Sequence, residues 1–521
     1  MTNLLSNIFP DTWPERILAV IYGILIFLFV RLPFLELLAL TPLVTFLQRF
    51  SLTISLGSIE KTLQLIIFLA PFILYKAIRE YIKRYSTNEL VREPVMWIVS
   101  GLFALDLIFS LLSISPVQSL VQTAVKLVLY ALFVSTSIWL KIIWNSQQKS
   151  NLLDSTFKIV RTFVIALGIF TIANSVISVS QFVDCSFFEK GCSVWSTVDN
   201  ALPNRMLEVG HQKFNDENFL IRAPGVFGDV NLNGMVALFS LILFGTLLIV
   251  HLILTTKQGH REKRVIAILA GSIIAAAISY ILTLSRSAVI GFLPVAFIVG
   301  IFLLFPLLRT TAITEKIRTR LSQYAIGAIV VIGFLLGMAS QIQVYQPLYG
   351  DSIPLTQEVW NYVVKAVSPK DPSASDHVNL FNKGIELAGM RNYLGFGTGT
   401  FKTAYAQNID RNDLDADPHS TYVTLLVEQG IIGLVVYIGF IGFAWSKAIQ
   451  ILNSTRKSVL SQIKESKTLT KEVYIRAMVS TFVAVVAFAL PFFSIATITY
   501  YGFFLPFVWW FGSGGMIKMK E

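Results

Sequence analysis

Apolar runs of roughly 17–25 residues, the length of helix that crosses a hydrocarbon core about 30 Å thick, recur along the chain. They lie near 62–78, 95–114, 119–143, 157–180, 232–254, 265–284, 287–308, 324–340, 422–445, 475–493 and 496–512. Residues 17–48 are too long for one straight span and short for two, and Arg31 and Pro33 interrupt them, so they predict one long kinked helix or a tight pair. No strand-period alternation recurs. The expected fold class is therefore an all-α polytopic integral membrane protein of about 12 (12–13) transmembrane helices, not an outer-membrane barrel.

The polar connectors set the orientation. "KAIREYIKRY" (76–85), "KQGHREKR" (257–264), "RTTAITEKIRTR" (309–320) and "RKSVLSQIKESKTLTK" (456–471) are short and rich in Lys and Arg, so they are expected in the cytoplasm. The spans between them have the parity this requires. The remaining connectors then face outward: 181–231, the turn at 285–286, and 341–421. The last is a large extracytoplasmic loop with nine Asp and Glu against six Lys and Arg, the reverse of the basic connectors. Its Trp360, Tyr362, Phe381, Tyr393 and Phe396 predict an ordered cap rather than a free loop.

Composition agrees with the pattern. The 521 residues are 54% hydrophobic and 14% charged, against about 25% charged for soluble domains, and the mean hydropathy is +0.66. The net charge of +11 is accounted for by cytoplasmic connectors and calls for no nucleic acid. The first apolar run lacks a small-residue cleavage site, so no removable signal peptide is expected. With no internal repeat, residues 1–521 read as a single membrane domain. Cys185 and Cys192, close together in the outer loop "CSFFEKGC", predict a local disulfide; the alternative is two free thiols.

Three candidate groups converge on the outer face: Arg222 in "IRAPGVFGDVNLNG", Arg286 in "TLSRSA", and His419 just before the span at 422. Arginine presents a planar fork of donors suited to phosphate oxygens, and two at the membrane surface could hold a diphosphate whose lipid tail stays in the bilayer. A neutral histidine accepts a proton from a hydroxyl near neutral pH. The combination suits group transfer from a lipid diphosphate to an acceptor hydroxyl. Each residue also has a plainer reading: an arginine at a helix end as a snorkelling anchor, a histidine after proline as a surface residue. His211 and His377 also face outward, whereas His251 and His260 fall at the cytoplasmic end.

The turn "GFGTGTF" (395–401) permits unusual backbone angles and close approach to a ligand, yet lacks the Gly-Lys-Ser/Thr of a phosphate loop. Glu428, a carboxylate inside a span, is a functional or polar-network candidate. No metal motif is present: the histidines are scattered, and Asp410, Asp413, Asp415 and Asp417 read as a solvated acidic turn, with attraction of a divalent cation as the alternative.

Together these segments resemble the O-antigen ligase and polymerase superfamily over roughly 220–440. Its glycine turn corresponds to Gly395, Gly397, Gly399 and Phe401. Its Pro-His pair and following helix correspond to Pro418, His419, Ser420, Glu428, Gly430 and Gly433. Its upstream segments correspond to Arg222, Gly225, Phe227 and Asn231, and to Arg286. The chain departs from the pattern in Ser420, where asparagine is commoner, in Asp376 and His377, and in a longer 181–221 loop.

The resemblance implies a bundle of about a dozen helices with the 341–421 loop capping the site, in the bacterial inner membrane with the site on the periplasmic face. It also implies transfer of a glycan from undecaprenyl diphosphate to a glycolipid, glycan or protein acceptor, with no metal or other cofactor. Arg222 and Arg286 would bind the donor diphosphate and His419 would activate the acceptor by an inverting displacement. Asn231, Gly395, Gly397, Gly399, Asp417 and Glu428 would support them. A polysaccharide polymerase and a protein O-oligosaccharyltransferase share these motifs. A transporter is the more distant alternative, and it would place ionisable residues near the midplane rather than at the lip.

Overall fold

The structure, a computed structural model, describes residues 31–45, 52–56, 59–63, 65–146, 150–187, 230–255, 263–283, 294–301, 343–346, 351–354, 372–411, 420–464 and 471–496, with a few isolated positions elsewhere. The elements in chain order are α1 (Phe34–Thr45), β1 (Leu52–Leu56), β2 (Ile59–Leu63), α2 (Leu65–Arg84), α3 (Thr87–Val91), α4 (Pro94–Leu111), α5 (Pro116–Ser146) and α6 (Ser150–Phe187). They continue with α7 (Val230–Thr255), α8 (Lys263–Thr283), β3 (Gln343–Gln346), β4 (Asp351–Pro354), α9 (Pro372–Met390), α10 (Phe401–Asn408), α11 (Thr421–Lys464) and α12 (Lys471–Ala496).

Among the described residues, six helical stretches are long and apolar enough to cross a membrane: Pro94–Leu111, Pro116–Ser146, Leu152–Val183, Asn233–Leu252, Arg264–Thr283 and Thr421–Ser461. Each matches a predicted span. The predicted spans at 324–340 and 496–512 lie almost wholly outside the described residues, as do parts of 17–48 and 287–308. Two small antiparallel hairpins, β1–β2 and β3–β4, were not anticipated. The first occupies the connector before α2, so that helix begins at Leu65.

Two boundaries move. α6 continues to Phe187, past the expected loop start at 181, and carries Cys185 in its last turns; Cys192 lies outside the described residues, and the predicted disulfide with it. α11 continues to Lys464, through most of the basic connector. Ala448, Leu452, Thr455 and Val459 are buried at spacings of three or four, so one face of the helix keeps packing on the bundle after the sequence turns polar.

Helix contacts are aromatic and close. Phe163 of α6 stands between Trp139 of α5 (ring centroids 5.6 Å apart) and Phe482 of α12 (5.7 Å), and Phe482 in turn meets Phe239 of α7 at 5.9 Å. The opposite surfaces stay apolar and exposed, as at Trp97, Leu111, Phe297 and Ile438. Such surfaces suit lipid and not water. Inside α5, the hydroxyls of Ser135, Thr136 and Ser137 donate to carbonyls one turn back.

Three polar pairs fix α4 antiparallel to α5. Glu93, at the start of α4, pairs with Lys141; Asp106 pairs with Lys126 at 2.7 Å; and Ser110 meets Thr123 at 2.7 Å. Tyr81 of α2 also donates to Glu93. Removing one partner of a buried pair strands the other charge, at a cost of about 3–5 kcal/mol. Lys126→Met should therefore lower the thermal midpoint of the detergent-purified protein steeply. Adding Asp106→Asn should recover part of the loss. A single variant that melts like the parent would show that the pair does not hold the helices.

Candidate functional site

α11 is not one continuous helix. Gly430 sits at φ 66°, ψ −162° inside it, conformational space open to glycine and closed to most L-residues. The break separates Ile431 from Val427, whose N–H and C=O would otherwise bond to each other. The 391–400 turn takes up what the break frees. Phe396 N donates to Val427 O (2.8 Å), Gly397 N to Glu428 O (2.8 Å), and Ile431 N donates to Tyr393 O (3.0 Å). In a span every backbone group needs such a partner.

The fit leaves no room for side chains. A Cβ on Gly430 would lie 2.2 Å from Tyr393 O, and one on Gly395 would lie 2.6 Å from Glu428 O. The sequence reading expected this glycine turn to approach a ligand; among the described residues its close approaches are to the broken helix and to Ser113 and Gln122 of the α4–α5 corner.

Glu428 finds its partners here. Its carboxylate accepts from Gly399 N (2.7 Å) and Phe401 N (3.3 Å), at the start of α10. Thr400, in the N-cap position, makes no side-chain cap bond, so Glu428 supplies the cap from a distant helix, where a negative charge also suits the helix dipole. The sequence reading placed Glu428 as a support, and its role is to fasten the glycine turn to α11.

The next residue reaches deeper. Gln429 Nε2 donates to Asp106 Oδ1 at 2.6 Å and to Thr398 Oγ1 at 3.2 Å. Asp106 is 2% exposed and also accepts from Lys126 and Tyr130. One carboxylate thus joins α4, α5, the glycine turn and α11. Gln118 adds a bond to Gly399 O (3.1 Å) and takes one from Thr403 (3.0 Å). Asp106, Lys126, Thr398 and Gln429 were missed from sequence. Ionisable residues inside the spans at 95–114 and 119–143 were the available signal.

A second polar knot lies among α6, α7 and α8. Asn233 accepts from Asn174 (2.7 Å) and donates to Ser178 Oγ and Ala223 O (3.0 Å each); Gln181 exchanges two bonds with the backbone of Gly225. Ala223 N donates to Leu282 O at 3.0 Å, tying the chain after residue 222 to the end of α8. Gly225 is at φ +59°, and a Cβ there would lie 2.5 Å from Asn174 Oδ1. Asn233, in the first turn of α7, was not among the residues singled out from the sequence.

Helix direction puts both knots at one end of the bundle. Asp154 near the start of α6 meets Lys471 at the start of α12, just after α11 finishes. The end of α6 and the beginning of α11 therefore lie together at the other end. Arg222, Arg286, Asp417 and His419 themselves lie outside the described residues. Ala223 follows the first, α8 ends three residues before the second, and Pro418 and Ser420, both buried, flank the last.

Truncating Glu428 to Ala leaves two buried amides without an acceptor, on the order of 1–3 kcal/mol each. Glu428→Gln keeps an acceptor oxygen and should cost less. The expected order of thermal midpoints in detergent is parent, Glu428→Gln, Glu428→Ala, with Gly430→Ala at or below the last. Equal midpoints for parent and Glu428→Ala would remove the capping role.

No curated protein matches the chain. A family model does: Wzy_C, described as O-antigen ligase, matches residues 270–438. That stretch holds most of α8, all of α9 and α10, the glycine turn and the broken first part of α11. Over residues 270–438 the chain is thus similar to the O-antigen ligase family.

Proposed function

We propose that the protein is a membrane glycosyltransferase of the O-antigen ligase kind, which moves a glycan from an undecaprenyl-diphosphate-type lipid to an acceptor hydroxyl, without metal, in the bacterial inner membrane and on its periplasmic face. The observation that carries the reading is the construction of the signature region. Its glycine turn, Glu428 and Gln429 form one rigid dock at the same end of the bundle as the Ala223–Leu282 tie. The segments leading to Arg222, Arg286 and His419 all start from that end.

In this reading the acceptor oxygen attacks the anomeric carbon, the carbon–oxygen bond to the diphosphate breaks, and the configuration inverts. His419 takes the acceptor's proton. Arg222 and Arg286 hold the diphosphate and stabilise the charge it gains on leaving, which is the largest demand of such a transfer. Ala223, next to Arg222 in the chain, bonds to Leu282, four residues before Arg286. Asp417 supports His419 from two positions before it in the chain. Asn231 opens α7 on the arginine side. The glycines let the loop's backbone lie against the broken helix.

A general base contributes about 10²–10⁴ in rate. His419→Ala should therefore cut glycan transfer by at least about 100-fold, and Arg286→Ala should abolish it, with each protein still present in the membrane. Near-normal transfer by either variant overturns its role. Deletion in the source organism followed by glycan analysis identifies the acceptor. Loss of capped lipid marks a ligase, loss of long chains a polymerase, and loss of glycoprotein a protein-glycosylating enzyme. A cysteine introduced at position 415 should react with a membrane-impermeant reagent from outside; reaction only from the cytoplasm would reverse the orientation.

A further inference from the structure

α9 has three faces, each written at helical spacing. Leu380, Gly384, Leu387 and Ala388 turn toward α11: Leu387 and Ala388 share a buried cluster with Val423 and Val427, and a Cβ on Gly384 would lie 2.3 Å from Val423 Cγ1. Asn379, Asn382 and Glu386 form an exposed polar face. Val378, Phe381 and Ile385 form a third face that is apolar and also exposed, at 60%, 38% and 37%. Packing on α11 accounts for the first face and water for the second. Neither accounts for the third.

Its surroundings say what covers it. The chain leaves α9 through Tyr393 and Leu394, and Tyr393 O accepts from Ile431 N at 3.0 Å. This brings Leu394, 68% exposed, to the level of Ile431 and Ile432, also exposed. Those two begin the outward apolar stripe of α11, which continues through Val435 and Ile438 within a stretch apolar enough to cross a membrane. α9 thus packs against the few residues of α11 that precede this stripe, at the depth where the lipid-facing surface starts. Tyr393 is the residue type that favours the headgroup boundary, and the exposed Arg391, whose guanidinium lies over Phe396 and donates to Gly395 O, sets a cation at the same level.

We propose that α9 lies in the plane of the membrane, with Val378, Phe381 and Ile385 inserted into the lipid at the headgroup–acyl boundary and Asn379, Asn382 and Glu386 facing water. An amphipathic helix of this kind buries its apolar face several ångströms into the boundary. The large loop is then partly a membrane-surface element, and its 372–394 portion does not stand clear of the bilayer. The proposal rests on the chain's being a membrane protein and does not depend on which reaction it catalyses.

The test uses the full-length protein with Cys185 and Cys192 replaced by Ala, in nanodiscs of phosphatidylcholine and phosphatidylglycerol. Single spin labels at Val378→Cys, Phe381→Cys and Asn382→Cys are read by their collision with oxygen, which concentrates in lipid, and with a water-soluble nickel chelate. The expected result is a reversal of sign in the depth parameter: oxygen exceeds nickel at 378 and 381, and nickel exceeds oxygen at 382. Nickel access at 378 and 381 equal to that at 382 overturns the proposal and sets the helix in water. Shielding of 378 and 381 from both reagents also overturns it, because protein, such as a second copy of the chain, then covers the stripe. If the cysteine-free background fails to fold, a benzophenone amino acid at 381 in the unaltered background should crosslink to lipid on irradiation, and crosslinking to protein alone overturns the proposal in the same way.

Discussion

The broken turn at Gly430 is the constraint on which the rest of the site depends. A backbone break in the buried part of a helix exposes amide and carbonyl groups, each costly if left without a partner. α11 carries such a break because the 391–400 turn supplies partners for Val427 O, Glu428 O and Ile431 N. The loop and the helix therefore hold each other in place. The turn's amides take the carbonyls the break frees, and the freed Ile431 amide takes a carbonyl of the turn. The carboxylate of Glu428 then caps α10 and extends the coupling from the turn to the helix after it.

Below this joint, Asp106 gathers Lys126, Tyr130, Thr398 and Gln429. An ion pair between hydrocarbon-embedded helices is weak evidence for stability, because desolvation offsets much of the attraction. What it gives here is register. The carboxylate accepts bonds from four side chains on three separate parts of the fold, so a shift of any one of them leaves another donor without an acceptor. The Glu93–Lys141 pair repeats the device about 22 Å along α5, by the helical rise. α4 and α5 are thereby fixed at two levels, and the upper level is the one that meets the glycine turn.

Much of this was legible in the sequence, for physical reasons that differ by residue. The spans were readable because the bilayer demands long uninterrupted apolar runs, and the signature region because its glycines and Pro-His pair sit at fixed separations. The end of α11 was not: the polar connector conceals a face that still packs through Leu452 and Val459. The purpose of the glycines was also hidden, since a sequence shows that backbones can approach closely there but not which partner does. Glu428 could be recognised as costly but its partners could not, because backbone amides leave no mark in a sequence. Asp106 and Lys126 each resembled a tolerable single charge in an apolar run, and only their pairing gives them meaning. Asn233 was missed because a motif records spacing and not which amides meet the neighbouring helix.

The Gln429–Asp106 bond joins residues 323 positions apart in the chain, and the Gln118–Gly399 bond joins residues 281 apart. A polytopic chain enters the bilayer from its amino terminus as it is synthesised, so α4 and α5 arrive long before their last partners exist. Through most of synthesis Asp106 has Lys126 and Tyr130 for company and lacks Thr398 and Gln429. The α4–α5 hairpin is thus a waiting half-joint with its charge already balanced, which lets it persist in lipid until translation delivers the glycine turn. The ion pair that sets register in the finished protein would in this way also balance the charge of the unfinished one.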